Sequence, residues 1–353
     1  MTNYNIALYP GDGIGQEVTA ATVRVLEALQ KRGKQFHLNF TSFPWGVDYY
    51  EEHGDVVPDD FLDVLQPFDA IFLGAVGYPT RMPDHITLSP LVKIRQAYDL
   101  YACLRPAKLF RGVTSPLRQA DAEEHPIDMM VLRENSEGEY LPLGGRYKIG
   151  RPEEVAVQTA VHSRRGVERI LRFGFDLART RRKHLTMVTK SNALRYGFVL
   201  WDEVLDEMKS DYSDVACDRL HADATAMDFV RRPGDFDVVV GSNLFGDLLT
   251  DLSGVICGGL GLAPSANIDP DRNFPSLFEP VHGSAPDIHG QGIANPTAAV
   301  LSAAMMLDWL NEGAGAQKLR DAVERCLTDG CHTRDLGGTL STEEMTDAVI
   351  ERL

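Results

Sequence analysis

Two apolar runs that end in glycine turns limit what this chain can fold into more than any other feature. Residues 5–10 (NIALYP) pass into the turn PGDGIG at 10–15, and residues 70–77 (AIFLGAVG) enter a second glycine turn. Short apolar runs bounded by turns read as buried strands. Residues 16–31 then follow with helical periodicity, and Val18, Val23, Val25, Leu26 and Leu29 mark the apolar face. Helical patterns at 61–65 and 91–100 lie on either side of the second run. Strand–helix alternation of this kind predicts an α/β fold.

The middle of the chain differs. Residues 129–140 (MMVLRENSEGEY) begin as a strand and end polar. Residues 141–163 hold glycine turns and an alternating stretch, the pattern of a protruding β-arm or hairpin. A helix is expected over 164–179, a strand at 185–190, a helix around 201–208 and an apolar strand at 237–243. Residues 254–265 are rich in glycine and small side chains, which suggests turns close to a ligand. The chain closes with a helix over 297–309 and two short amphipathic helices.

Composition excludes several classes of function. The 353 residues are 44% hydrophobic and carry a formal net charge of −16. So acidic a chain repels phosphates, which argues against nucleic-acid binding and against docking on anionic membranes. The longest apolar stretch, 298–310, is interrupted by Ser302 and Asp308, is too short to span a bilayer and reads as a buried helix. No signal peptide is evident at the start. Cys103, Cys217, Cys257, Cys326 and Cys331 form no C-x-x-C pair. They read as reduced thiols, and the expected location is cytoplasmic.

Each candidate motif has an ordinary explanation beside it. PGDGIG invites a dinucleotide-binding Rossmann reading, but the third glycine is absent and Gln16 and Glu17 follow instead. A strand-to-helix turn near a ligand fits better. Asp247 and Asp251 in SNLFGDLLTD are four residues apart, so a helix places both carboxylates on one face. Like charges at that spacing repel unless a cation lies between them, and hard oxygens suit Mg2+ or Mn2+. The alternative is a solvated helix face. Arg95, Arg105 and Arg133 sit in apolar surroundings (LVKIR, CLRP, MVLRE), which suggests a pocket for a diacid. The segment 279–288 (EPVHGSAPDI) can bring backbone close to a ligand, or can be an ordinary loop.

In combination these motifs are specific. PGDGIG, the three arginines, TKSN, NLFGDLLTD, HGSAPDI, IANP and TRDLGG occur in one order along the whole chain. The chain resembles the isocitrate/isopropylmalate dehydrogenase family. The stretch from APSANIDP to FPSLFEPVHGSAPDI is most similar to its tartrate/D-malate dehydrogenase branch. The resemblance implies an isopropylmalate dehydrogenase-like α/β fold of two domains around one long mixed sheet, not a Rossmann fold. One domain would take 1–100 and 258–353. The other would take 101–257, with a dimerisation arm near 137–160.

Residue roles follow from the same resemblance. Arg95, Arg105 and Arg133 match the arginines that bind substrate carboxylates. Tyr140 and Lys190 match the catalytic tyrosine and lysine. Asp223 matches a catalytic and metal-ligating aspartate given across a homodimer, or a dimer of dimers, to Asp247 and Asp251. His282, Gly283, Ser284, Ala285, Asp287, Ile288 and Asn295 match the adenosine loop, and Ile14 lies where the family meets nicotinamide. The implied cofactors are NAD, Mg2+ or Mn2+, and K+ as an accessory ion. The implied activity is oxidation and β-decarboxylation of a malate-type 2-hydroxy diacid, with D-malate or tartrate expected.

The substrate's third substituent is expected to meet Ser89, Pro90, Leu91 and Val92. Leu91–Val92 partly imitates the apolar pair of isopropylmalate enzymes. The tryptophan and further residue usual in the tartrate/D-malate branch are absent here. Isopropylmalate dehydrogenase is therefore the alternative. A non-catalytic regulatory subunit is a remote one, opposed by the intact Tyr140, Lys190 and aspartates.

Overall fold

A computed structural model describes residues 2–33, 36–117 and 126–353. In chain order the first elements are β1 (Thr2–Gly11), α1 (Ile14–Gly33), β2 (Phe36–Ser42), α2 (Val47–His53), α3 (Phe61–Leu65) and β3 (Ala70–Ala75). Next come α4 (Asp84–Thr87), α5 (Ser89–Ala97), β4 (Ala102–Lys108), β5 (Asp128–Glu134), β6 (Gly144–Tyr147) and β7 (Val155–Gln158). They are followed by α6 (Arg164–Arg179), β8 (His184–Thr189), α7 (Arg195–Met208), β9 (Ala216–His221), α8 (Ala222–Arg231) and β10 (Val238–Gly241). The last are α9 (Asn243–Ile256), β11 (Pro264–Ile268), β12 (Ser276–Pro280), α10 (Thr297–Trp309), α11 (Gly313–Thr328) and α12 (Thr342–Glu351).

Ten strands form one mixed sheet in the order β2-β1-β3-β12-β11-β4-β5-β10-β8-β9. The strands β2, β1, β3 and β12 pair in parallel, as do β5, β10, β8 and β9. Antiparallel pairs join β12 to β11, β11 to β4 and β4 to β5, so the two parallel blocks run in opposite directions. The PGDGIG turn lies inside a β1–α1–β2 crossover between adjacent parallel strands, but the antiparallel pairs at the centre of the sheet set it apart from the parallel Rossmann sheet. The runs on β3 and β10 are buried along their whole length, as expected of parallel strands covered on both faces.

Helix α10 is apolar almost all round and lies buried against β11 and β12. An apolar helix of that kind needs protein on every side. Helix α9 lies on the sheet at β4 and β5. Gly246 makes that approach possible, because a Cβ there would come within 2.7 Å of the Arg133 Cβ. Helix α12 starts with a capping box, Ser341 and Glu344 each bonding the other's backbone N–H.

The arm expected from the alternating stretch is a two-stranded antiparallel hairpin, β6–β7, with every strand residue exposed. Its exposed apolar side chains include Tyr147, Ile149, Val155 and Val157. No described helix is long and apolar enough to cross a membrane.

Candidate active site

Register brings the arginines together. Cys103 of β4 pairs with Arg133 of β5, so Arg105, two residues on, shares a sheet face with Arg133 on the diagonal. Arg95, near the end of α5, approaches from the side. Together with Tyr140, Asp247 and Asp251 they line a cavity of about 220 Å3 that also reaches Glu279 and His282.

All three arginines are buried, and each is held by an acceptor. Arg95 Nη2 donates to Glu279 Oε1 at 2.8 Å. Arg105 Nη1 donates to Asp247 Oδ1 at 3.1 Å and to Thr250 Oγ1 at 2.6 Å. Arg133 donates through Nη1 to Asp247, and through Nε and Nη2 to Asn243 Oδ1 at 2.9 and 2.7 Å. The Tyr140 hydroxyl donates to Asp247 Oδ2 at 2.7 Å, and the Arg133 guanidinium lies 5.0 Å from the Tyr140 ring centre.

The electrostatics follow from this crowding. Burial, and then the charges of Arg95 and Arg105, push the Arg133 guanidinium down to about 10. Burial works to raise the Asp247 carboxyl, but Arg133 and Arg105 outweigh it and hold it below its ordinary value. Asp251 goes the other way: burial and the neighbouring Asp247 charge raise it. Burial and the bond to Asp247 raise the Tyr140 phenol, so it stays a proton donor at neutral pH. The cavity has a strongly positive wall with a pair of hard oxygens at one side. It can take a small dianion and, at Asp247 and Asp251, a divalent cation.

Lys190 and Asp223 stand apart. They bond each other at 2.5 Å, Lys190 Nζ donating to Asp223 Oδ1. That bond keeps Asp223 ionised well below the ordinary carboxylate range. Neither residue lines the arginine cavity. Among the described residues no three metal-capable side chains meet within one chain. The carboxylates of Asp247 and Asp251 are hard oxygen donors, and their chemistry fits Mg2+ or Mn2+.

The PGDGIG turn meets the 279–288 segment directly. The Ile14 N–H donates to Ser284 O at 2.8 Å, and a Cβ on Gly13, at φ +54°, would fall 2.1 Å from the same oxygen. Asp12 is buried and fixes the turn's surroundings, accepting from Val47 N at 2.7 Å and Gly77 N at 2.6 Å. Ile14, His282, Ile288 and Asn295 line a second cavity of about 330 Å3, with Arg334 and Asp335 opposite. Asn295 Nδ2 donates to Asp335 Oδ2 at 3.0 Å. His282 lines both cavities.

The His282 ring gives the fit test for a nucleotide. Burial holds the imidazole below its ordinary value, so it is neutral at pH 7. Its Nδ1 lies 2.9 Å from the Gly283 carbonyl, which needs a proton on Nδ1 and leaves Nε2 as an acceptor. Nε2 is buried and has no partner. A ligand N–H or O–H in either cavity would satisfy it. Ser284 bonds the Gly77 carbonyl, Ala285 takes a left-handed φ of 38°, and Gly283 and Asp287 are exposed on the turn beside Ile288.

Of the four residues expected to meet a third substituent, Leu91 lines the arginine cavity and Ser89, Pro90 and Val92 do not. Leu88 and Val76 take their place. Leu88 lies between the one-turn helix α4 and α5 and lines the cavity from its exposed rim. Glu279, Asn243, Thr250 and Asp12 are functional partners that the motifs did not single out. Arg334 and Asp335 belong to the recognised TRDLGG stretch, but no role had been attached to them.

Comparison with known proteins gives a consistent result. Residues 5–349 match the family model described as isocitrate/isopropylmalate dehydrogenase. The "Probable tartrate dehydrogenase/decarboxylase" of Bacillus subtilis (strain 168) is 48% identical over 356 residues, covering 100% of this chain and 99% of that protein. The "D-malate dehydrogenase [decarboxylating]" of Escherichia coli (strain K12) is 47% identical over 357 residues, covering 99% and 98%. The crystal structure of isocitrate dehydrogenase from Methylococcus capsulatus superposes with a TM-score of 0.87 at 38% identity, covering 99% of each chain.

Proposed function

The chain belongs to the isocitrate/isopropylmalate dehydrogenase family and has its fold, and on that premise we propose that it is an NAD-dependent D-malate/tartrate dehydrogenase that decarboxylates its product. One observation carries the reading. Three buried arginines from α5, β4 and β5 face two carboxylates one helical turn apart, with a tyrosine hydroxyl between.

Arg95, Arg105 and Arg133 bind and orient the two carboxylates of the substrate bidentately. Asp247 and Asp251, with Asp223 of the partner subunit, would hold a divalent cation, which would supply Lewis-acid chemistry to the substrate, and NAD would supply the hydride acceptor. Lys190 of the partner subunit takes the 2-hydroxyl proton at Nζ. Tyr140 keeps its proton until carbon 3 needs one after CO2 has left, because the phenol is raised and not ionised. His282 holds the cofactor against the substrate cavity, which it also lines.

The wall formed by Val76, Leu88 and Leu91 decides among substrates. It offers no cation for a third carboxylate, which disfavours isocitrate. It tolerates the hydrogen or hydroxyl on carbon 3 of malate or tartrate. Because the wall is apolar it also suits isopropylmalate, the second reading. NADH formation from D-malate, both tartrates, isopropylmalate and isocitrate tests this. D-malate or tartrate gives the highest kcat/KM on this proposal, and a preference for isopropylmalate replaces it with the second.

Sharing of the site between subunits is part of the proposal. It is supported by Lys190 and Asp223 pairing away from the arginine cavity of their own chain. The exposed apolar hairpin and the exposed Met227, Val230, Leu248 and Val255 on α8 and α9 support it as well.

A further inference from the structure

We infer that Asn243 is a positioning residue whose single amide locks Arg133 and the turn carrying Tyr140 into one unit without adding charge. The inference rests on the reading above, in which Arg133 and Tyr140 face the substrate.

Asn243 is the first residue of α9 and is 3% exposed. Its side chain does not cap that helix, since Ser242 holds the N-cap position. The amide is used at both ends. Oδ1 accepts from Arg133 Nε at 2.9 Å and Nη2 at 2.7 Å, and Nδ2 donates to the Glu137 carbonyl at 2.8 Å. A buried amide bonded on both sides has one orientation. Arg133 is thereby gripped along one edge, and its Nη1 is left to point at Asp247, whose other oxygen takes the Tyr140 hydroxyl.

The turn is seated on the same residue. Gly138, at φ +82°, lies so close that a Cβ there would be 3.0 Å from the Asn243 Cβ. The Glu137 carboxylate pins the far side of the turn, accepting from Ser163 N at 2.7 Å and Ser163 Oγ at 2.5 Å at the start of α6. Two groups that must act on one substrate therefore share one buried support.

A neutral acceptor matters at this place. A carboxylate at 243 would hold Arg133 as firmly but would cancel its charge where a substrate carboxylate needs it. It would also stand one turn from Asp247 and repel it. The amide gives direction and leaves the guanidinium charge free.

The test uses the full enzyme with D-malate, NAD and Mn2+, and compares Asn243→Leu and Asn243→Asp with the parent in kinetics and in crystal structures. Asn243→Leu removes both links. Loss of hydrogen bonds to a charged group predicts a fall in kcat/KM for D-malate of about 100-fold, with KM for NAD within about twofold. Its crystal structure shows Arg133 and Tyr140 released from Asp247. Asn243→Asp keeps the grip on Arg133 but cannot donate to Glu137. It raises KM for D-malate and lowers kcat, each by about tenfold on the same grounds. If Asn243→Leu does not fold, Asn243→Asp decides alone. A variant with parental kinetics, or one in which both KM values rise together while Arg133 and Tyr140 stay in place, overturns the inference. A parent that turns over no 2-hydroxy diacid overturns the functional reading instead, and the two crystal structures still settle what Asn243 holds.

Discussion

A carboxylate beside a ribose accepts hydrogen bonds from the 2′- and 3′-hydroxyls and repels a 2′-phosphate. On the proposed reading Asp287, exposed on the turn next to the cavity-lining Ile288, takes that role. The expected preference for NAD over NADP is about 2–4 kcal/mol, or roughly 30- to 1000-fold in kcat/KM. Replacing Asp287 with Lys and Ile288 with Tyr moves the preference toward NADP. Equal use of both cofactors by the parent means that Asp287 does not meet the ribose. At the same scale, Asp251→Asn removes one hard oxygen and relieves the burial of charge, and then the repulsion from Asp247, that raise Asp251. Metal affinity then falls by about 10-fold or more while the melting temperature holds or rises, because the repulsion was a cost to the fold. Titration of Mn2+ beside a thermal melt checks both halves. Unchanged Mn2+ affinity removes Asp251 from the metal site.

Elements with an uninterrupted pattern were legible from residue order alone. The helix over 164–179 has the expected bounds because its apolar periodicity is complete, and the helix over 297–309 because its run is apolar almost all round. Helix α7 begins at Arg195 and not near 201, because its first turn exposes Tyr196 and Val199 and so lacks a periodic signal. Helix α5 stops at Ala97 where the pattern suggested 100. Asp99 turns left-handed at φ 48°, and the Leu100 N–H closes back on the Arg95 carbonyl at 2.8 Å. Partners across the fold were not legible. Glu279 is 184 residues from Arg95, and nothing near either residue names the other. The same holds for Asn243 and Arg133, which are brought together by the packing of α9 on β5. Gly246 is the element-scale test of that packing. Gly246→Ala forces a Cβ to within 2.7 Å of the Arg133 Cβ, and the expected cost is about 1–3 kcal/mol in a denaturant melt. An alanine variant as stable as the parent means that α9 has room against β5.

On the proposed reading, the whole molecule supplies what one chain does not bring together. Lys190 and Asp223 bond each other outside the lining of the arginine cavity, and the hairpin exposes apolar side chains. Mixing Lys190→Ala chains with Arg133→Ala chains, after confirmed subunit exchange, restores activity in one hybrid site if the sites are shared. No recovery counts against shared sites. The family and fold were readable because the motifs recur in one order over the full length. The substrate was not, because the wall at Val76, Leu88 and Leu91 is built by chain geometry that no motif encodes. The most direct test is a product balance: D-malate, NAD and Mn2+ incubated with the enzyme, with NADH, CO2 and the 2-keto acid all measured, and the run repeated in EDTA. The account predicts the three products in equal amounts and none in EDTA. NADH without CO2, or full turnover without metal, contradicts it.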